Sequence, residues 1–354
     1  MTKSLKLQKS KALTFSIIIP NYNGASFLTD CLNSLTKAIT NCPNSNFELI
    51  FVDNGSKDNS CQIFTDFFKK VSLSSRGDAD LSAEGFQTKI IYLPSNNGFA
   101  GAVNLGIEKA KHEWVVLLNN DLTMEPNWFQ LISQNIKDNK DKKVATFFGT
   151  VLTKDGTKIE SQGLDFFYSG KCQNVSNGQK FSPSTTDDRR PTIYVWGSSA
   201  ALVVYNKKII TKIGLFDQDF FAYEEDVDLA LRLHNLGFKT LYNPQALSYH
   251  LGGGTSNKMG IFRYKMDVKN WIYIIIKNFS KKEILDNLSS IIEQRLINLS
   301  GLNKQIIYIY KLKSFFYLPY IFISVYGEVL LNLPKMFNKR QQINKLKIHQ
   351  GTSL

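Results

Sequence analysis

Five short runs rich in β-branched and aromatic residues recur through the first part of the chain, at 15–20, 47–53, 89–93, 113–118 and 144–152. Between them lie four stretches with helical spacing of apolar residues, near 25–39, 58–70, 99–111 and 126–138. A strand followed by a helix most readily pairs in parallel with the next strand, because the helix carries the chain back to the starting edge. The alternation predicts an α/β fold with a doubly wound, mostly parallel sheet. In such sheets ligands collect beyond the carboxyl ends of the strands. Asn21-Tyr22-Asn23-Gly24, Asp53-Asn54-Gly55-Ser56 and Asn119-Asn120-Asp121 all fall at those ends, which points to one site.

Further along, segments 72–88 and Ser176 to Arg190 have loop composition, and a Gly-punctuated hairpin region is expected before Tyr194. Tyr194 to Tyr205 is predicted as a strand, Glu224 to Asn235 as a helix, and Ala246 to His250 as a strand running into Gly252-Gly253-Gly254. From Ile261 the alternation stops and apolar residues take helical spacing over 261–279 and 283–299. This divides the chain into a sheet domain, 1–257, and a helical C-terminal appendage, 258–354.

Charge follows the same division. Residues 258–354 hold 16 Lys/Arg against 5 Asp/Glu, whereas 1–257 hold 27 against 25. A basic, apolar tail without a dense Lys/Arg run suits an anionic membrane surface rather than nucleic acid. Ser314 to Leu333 carries a single charge, Glu328, and is long enough to span a bilayer. Pro319, Gly327 and the basic residues that follow favour a helix lying in the membrane plane, with Lys313, Tyr317, Ser324, Glu328, Asn332 and Lys335 as its polar stripe. A helix packed on the sheet domain is the alternative. The four cysteines form no CxxC pair, and the N-terminus shows no secretory pattern, so a reduced cytosolic setting is expected.

Two carboxylates stand out chemically. Asp121 ends an apolar strand, and Asp226 opens a helical segment. One acid that holds a cation against a diphosphate, and another that takes a proton from a hydroxyl, together make a group-transfer site. Taken alone, an acid at a turn or in a first helical turn is also an ordinary cap. Asp228 and Arg232, spaced i,i+4, are expected to form a surface pair.

The ordered set Ile19-Pro20-Asn21-Tyr22-Asn23, Val52-Asp53-Asn54-Gly55-Ser56, Asn96-Asn97-Gly98-Phe99-Ala100-Gly101, Leu118-Asn119-Asn120-Asp121, Gly214-Leu215-Phe216-Asp217, Glu225-Asp226-Val227-Asp228-Leu229 and His250 resembles inverting family 2 glycosyltransferases of the GT-A fold. The likeness runs from about Phe15 to Ser256 and is nearest the bacterial rhamnosyltransferase-like group, so L-rhamnose is the sugar it suggests. It implies a nucleoside-diphosphate sugar donor held by Pro20, Tyr22, Asp53, Asn97, Asn119 and Asn120, with Asp53 on the nucleobase. Asp121 and His250 are the implied ligands of Mg²⁺ or Mn²⁺, although Asn119 replaces the first acid of the family's Asp-x-Asp. Asp226 is the implied general base, and Trp196 and Glu225 the acceptor contacts. The expected enzyme moves a sugar, with inversion, to a hydroxyl of a glycan or polyprenyl-linked acceptor at the cytoplasmic face of the cell membrane. A nucleotidyltransferase fits less well, because Asn21-Tyr22-Asn23-Gly24-Ala25 has no basic residue for phosphate. A non-catalytic membrane adaptor would have no need of Asp121, Asp226 and His250.

Overall fold

The computed structural model describes residues 12–74, 86–182, 192–251, 261–311 and 314–351. Most of the 72–88 segment, the end of the Ser176–Arg190 stretch and the Gly252–Gly254 run lie outside the described residues. The first half winds as expected through β1 (Leu13–Asn21), α1 (Ala25–Thr40), β2 (Ser45–Asp53), α2 (Ser60–Ser74), β3 (Gln87–Tyr92), α3 (Gly98–Lys109) and β4 (Trp114–Leu118). β1 pairs in parallel with both β2 and β4, and β2 with β3. Alternate side chains of β1 go to opposite faces, as strand geometry requires. Phe15, Ile17 and Ile19 join a core under α1 and α4 (Trp128–Asp138), while Ile18 joins a second core with Ala102, Val103 and Ile107 of α3. Each such side chain, fully withdrawn from water, contributes roughly 1.5–3 kcal/mol.

The second half mixes directions. It comprises β5 (Leu122–Met124), β6 (Val144–Thr153), β7 (Ile159–Ser161), the hairpin of β8 (Leu164–Phe167) and β9 (Lys171–Asn174), β10 (Ile193–Val195), β11 (Leu202–Asn206), α5 (Lys207–Ile213), α6 (Glu225–Asn235) and β12 (Lys239–His250). Among the described residues the main sheet has the order β10-β12-β6-β11-β4-β1-β2-β3, with β5 on β12 and β7 on β6. β11 runs antiparallel to both β4 and β6, so the sheet is parallel on one side of β4 and mixed on the other. The single strand expected over 194–205 is two strands on different neighbours, because the chain breaks at Gly197-Ser198-Ser199 and crosses from the β12 edge to the centre.

α7 (Ile261–Asn278), α8 (Lys281–Asp286), α9 (Leu288–Tyr310) and α10 (Ser314–Gly351) follow. α7 is no loose appendage. Trp271, Tyr273, Ile274 and Ile275 pack in one buried cluster with Leu164, Phe220, Val227 and Leu231 of the sheet domain. α10 continues through Pro319, Gly327 and Pro334 and buries Ile321, Val325, Val329 and Met336. The polar stripe expected to face lipid headgroups is in part an internal seam. Ser324 accepts from Lys265, Glu328 pairs with Lys269 at 2.8 Å, and Lys335 pairs with Asp219. Lys313 and the Tyr317 side chain are outside the described set. Among the described residues no helix is long and apolar enough to cross a membrane.

Candidate active site

The carboxyl ends of β1, β2 and β4 meet around Asn21, a buried side chain that joins all three. It accepts from Asn120 Nδ2 at 2.7 Å and donates to Ser60 Oγ at 2.8 Å, Ser56 Oγ at 3.0 Å and Asp53 Oδ1 at 3.3 Å. Gly24 makes the meeting possible, since a Cβ there would lie 2.0 Å from Asn120 Nδ2 and 2.4 Å from Asn21 Oδ1. Asn54 is a second tie, from β2 to the start of α3. Its Nδ2 donates to Asn96 Oδ1 and to the Gly98 carbonyl, both at 3.0 Å, and its Oδ1 accepts from Asn97 N at 2.9 Å.

These strand ends form one wall of a cavity of about 500 Å³, a size suited to a small-molecule ligand. Pro20, Tyr22, Asn119, Asn120 and Asp121 line this side, and Glu225 and Asp226 line the other part. Asp53 sits beneath the wall, held by Asn21 and by Ser56 N, and Asn97 stands at the α3 cap rather than in the lining. Trp196 is not in the lining either. Phe166 stacks on its ring at 4.9 Å and His234 lies against it at 5.5 Å, so the surface expected to meet an acceptor sugar is already covered.

Asp121 and His250 come together although they are far apart in sequence, because β5 pairs with β12 in a register that sets His250 opposite Leu122. His250 Nε2 lies 3.1 Å from Asp121 Oδ2, and His250 Nδ1 lies 2.7 Å from Glu160 Oε1. Burial alone favours a neutral imidazole, but the hydrogen bonds to the two carboxylates push its pKa up to about 10. A divalent cation would replace the Nε2 proton shared with Asp121 and leave a neutral imidazole as ligand, although among the described residues no group of three or more His, Cys, Asp or Glu side chains is arranged as a metal site. Two neighbouring ligands on an octahedral ion with bonds of about 2.1 Å stand ~3 Å apart, close to the Asp121–His250 separation. Close by, Asn119 Oδ1 is buried without a hydrogen-bond partner. A carboxylate and a neutral imidazole, completed by diphosphate and water, offer the oxygen and nitrogen donors that Mg²⁺ or Mn²⁺ takes. Glu160 is the member that the sequence hides: a single acid in a three-residue strand, fixing the ring from behind.

The base-bearing side is built by the loop after α5. Phe221 has φ 63° and ψ −65°, and Ala222 N donates to the Phe220 carbonyl at 2.7 Å, which is a γ-turn of the rare positive-φ hand. Tyr223 and Glu224 also have positive φ, at 69° and 66°. None of the three is glycine, and each such conformation costs on the order of 1–3 kcal/mol. α6 then starts at Glu225. Asp226 is fixed by Ala200 N, which donates to Oδ2 at 3.1 Å, and by Val227 N, which donates to Oδ1 at 2.8 Å. Burial raises its pKa against the pull of these hydrogen bonds. Burial, reinforced by the neighbouring acids, raises Glu224 and Glu225 well above the usual carboxylate value, so the three carboxyls release protons in steps. Glu225 Oε2 is buried with no partner.

Asp228 and Arg232 do not lie on the surface. Asp228 is fully buried, and Arg232 Nε donates to its Oδ2 at 2.9 Å while Nη1 donates to the Ile213 carbonyl. The i,i+4 spacing is common to exposed pairs and to this internal strut. Asp217 of the Gly-Leu-Phe-Asp motif is likewise structural, pairing with Lys277 and Lys339.

The family model described as glycosyl transferase family 2 matches residues 16–210. Glycosyltransferase GlyG of Streptococcus pneumoniae serotype 4 is 24% identical over 339 residues, spanning 93% of this chain and 98% of that protein. Among solved structures, residues 1–349 of Staphylococcus aureus TarS superpose with a TM-score of 0.55 at 14% identity, over 96% of this chain and 89% of that one. Mannosyltransferase PcManGT from Pyrobaculum calidifontis, in complex with GDP-Man and Mn²⁺, superposes with a TM-score of 0.53 at 13% identity, over 97% and 87%. At such identities the two superpositions speak for the fold. The family match covers more than half of the chain, including the strands that build the cavity wall, and the protein accordingly belongs to glycosyl transferase family 2, as a glycosyltransferase of the GT-A fold.

Proposed function

We propose that this glycosyltransferase transfers a sugar from a nucleoside diphosphate to a hydroxyl of a glycan or lipid-linked glycan by single displacement with inversion. One observation carries the reading: Asp226 and Asp121 line the same cavity, the first with a pKa raised by burial, the second backed by His250. Asn119, Asn120, Tyr22 and Pro20 face the donor, with Asn21 and Asp53 holding that wall from beneath. Asp121 and His250, with Asn119 near them, would hold a divalent cation, whose positive charge offsets the charge that develops on the departing diphosphate. Asp226 accepts the proton of the acceptor hydroxyl as that oxygen attacks the anomeric carbon, and the bond to the diphosphate oxygen breaks on the opposite face. Glu225 lines the same cavity beside Asp226, on the side where the acceptor would sit.

The motif likeness suggests L-rhamnose. TarS, named as a poly(ribitol-phosphate) β-N-acetylglucosaminyltransferase, points instead to N-acetylglucosamine, and PcManGT to mannose. A panel of nucleotide sugars with purified protein and Mg²⁺ or Mn²⁺, with Asp226→Asn as control, selects among them. Absence of transfer from every donor to glycan or lipid-linked acceptors would sink the reading, and turnover that persists in Asp226→Asn would remove the base role.

Attachment to the cytoplasmic face of the membrane is part of the proposal. It is supported by the apolar residues that α9 and α10 leave exposed, among them Leu288, Ile292 and Leu296 at helical spacing, and by the excess of basic residues beyond 258.

A further inference from the structure

α7 lies beyond the residues that the family model matches, yet it reaches the most strained backbone near the cavity. Asn270 of α7 is completely buried, and its Nδ2 lies 3.0 Å from the Phe220 carbonyl, 3.0 Å from that of Ala222 and 2.7 Å from that of Tyr223. Three carbonyls directed at one point repel one another unless a donor stands there. The amide of asparagine supplies two N–H bonds on a short stem, whereas a carboxylate of the same shape offers none when ionised. The turn it clasps is the γ-turn at Phe221 and the left-handed pair Tyr223 and Glu224, conformations that usually call for glycine.

The same turn is braced from the donor side. A Cβ on Gly98, the first residue of α3, would fall 2.3 Å from the Phe221 carbonyl oxygen, so only glycine lets the two backbones meet. Residues 220–224 are therefore held between the α3 cap and α7. Glu224 is the N-cap of α6 in a left-handed conformation, so the setting of this turn decides where Glu225 and Asp226 begin their helix.

We infer that Asn270 is a positioning residue for the transfer reaction: by clasping the 220–224 turn it holds Asp226 toward the acceptor hydroxyl, which makes the C-terminal helical region part of the catalytic apparatus. The inference rests on Asp226 being the general base.

The test compares the full-length wild type with Asn270→Ala, Asn270→Asp, Asp226→Asn and the double variant Asn270→Ala/Tyr223→Gly. Readouts are kcat for transfer, affinity for UDP and GDP by calorimetry, and circular dichroism. A displacement of about 1 Å at a reacting group costs on the order of 100-fold, so Asn270→Ala and Asn270→Asp are expected to lower kcat by roughly 10–100-fold while nucleotide affinity stays within about twofold. Glycine at 223 adopts positive φ without a clasp, so the double variant is expected to regain several-fold in kcat over Asn270→Ala. Should Asn270→Ala not fold, the isosteric Asn270→Asp decides the matter, compared with wild type up the alkaline side of the pH profile so that the introduced carboxyl is ionised. Wild-type kcat in Asn270→Asp overturns the inference, as does a loss of nucleotide affinity in step with kcat and without glycine rescue, which would assign Asn270 to general folding. Wild-type transfer by Asp226→Asn instead means that the base assignment has failed. An inactive Asp226→Asn beside a fully active Asn270→Asp refutes the positioning role alone.

Discussion

Lys277 on α7 places its ammonium 2.8 Å from the carboxylate of Asp228, two residues beyond Asp226, and both side chains are buried. Asp217 and Asn278 complete the cluster. A buried charge left without any partner costs about 3–5 kcal/mol, but here Arg232 still pairs with Asp228 and Lys339 with Asp217 once Lys277 is gone. Lys277→Met is therefore expected to lower unfolding free energy in urea titration by less than about 3 kcal/mol. An unchanged midpoint would show that the cluster contributes nothing to stability.

The same cluster makes part of the fold's stability depend on pH in the acid range. Burial opposes the charge on Asp217, but Lys277 and Lys339 hold its pKa well below the ordinary value of about 3.9. A group depressed in the folded state stabilises above its unfolded pKa, and that stability is lost as pH falls toward the folded value. The stability gap between wild type and Asp217→Asn is expected to be constant from about pH 7 to 5 and to shrink below about pH 4. Thermal unfolding across that range checks it, and a gap that widens in acid would contradict the sign.

Asp226→Asn is expected to reduce transfer by roughly 10²–10⁴-fold while leaving nucleotide binding in place. A base must be ionised to act, so wild-type kcat/KM rises with pH through the carboxyl titration. With its pKa raised by burial, that limb belongs above pH ~4, as the stepwise titration of Asp226 with Glu224 and Glu225. A profile flat through this range would point to another base.

Glu160→Ala removes the acceptor behind His250 and frees the ring to turn. Loss of such a support commonly weakens metal affinity by about 10–100-fold. Titration of the purified protein with Mn²⁺, followed by calorimetry or electron paramagnetic resonance, reads this without any turnover. Equal affinities in the two proteins would separate His250 from the metal.

Ile292→Glu/Leu296→Glu alters only exposed positions on α9. Sedimentation with anionic vesicles is expected to fall several-fold, with transfer to a soluble acceptor unchanged. Equal sedimentation would place membrane attachment elsewhere or nowhere.

What the sequence discloses here follows from range. β1 to β4 and α1 to α4 were legible because each obeys a local period, and the strand-end clusters followed from that winding. Gly197-Ser198-Ser199 looked like part of one strand because small residues carry no period that betrays a crossing between sheet positions. Asp228 and Arg232 were misplaced because helical spacing says which side chains meet but not whether water meets them too. Glu160 and Asn270 gave no local signal. Each acts on a residue far along the chain, and only the β5–β12 register and the packing of α7 bring them into place.

Lys339, in the second half of α10, pairs with Asp217 and Asp219 ahead of the base-bearing helix. A ribosome makes residue 228 more than a hundred residues before it makes this lysine, a delay of roughly 5–20 s at usual elongation rates. The nascent chain is expected to hold a finished nucleotide wall through that interval while Asp217 and Asp219, just ahead of the proton-accepting loop, still await this lysine. Ribosome-arrested chains long enough for residue 260 to have left the exit tunnel, but not α10, should therefore resist protease across the sheet and yet fail to transfer sugar, so that catalytic competence arrives last.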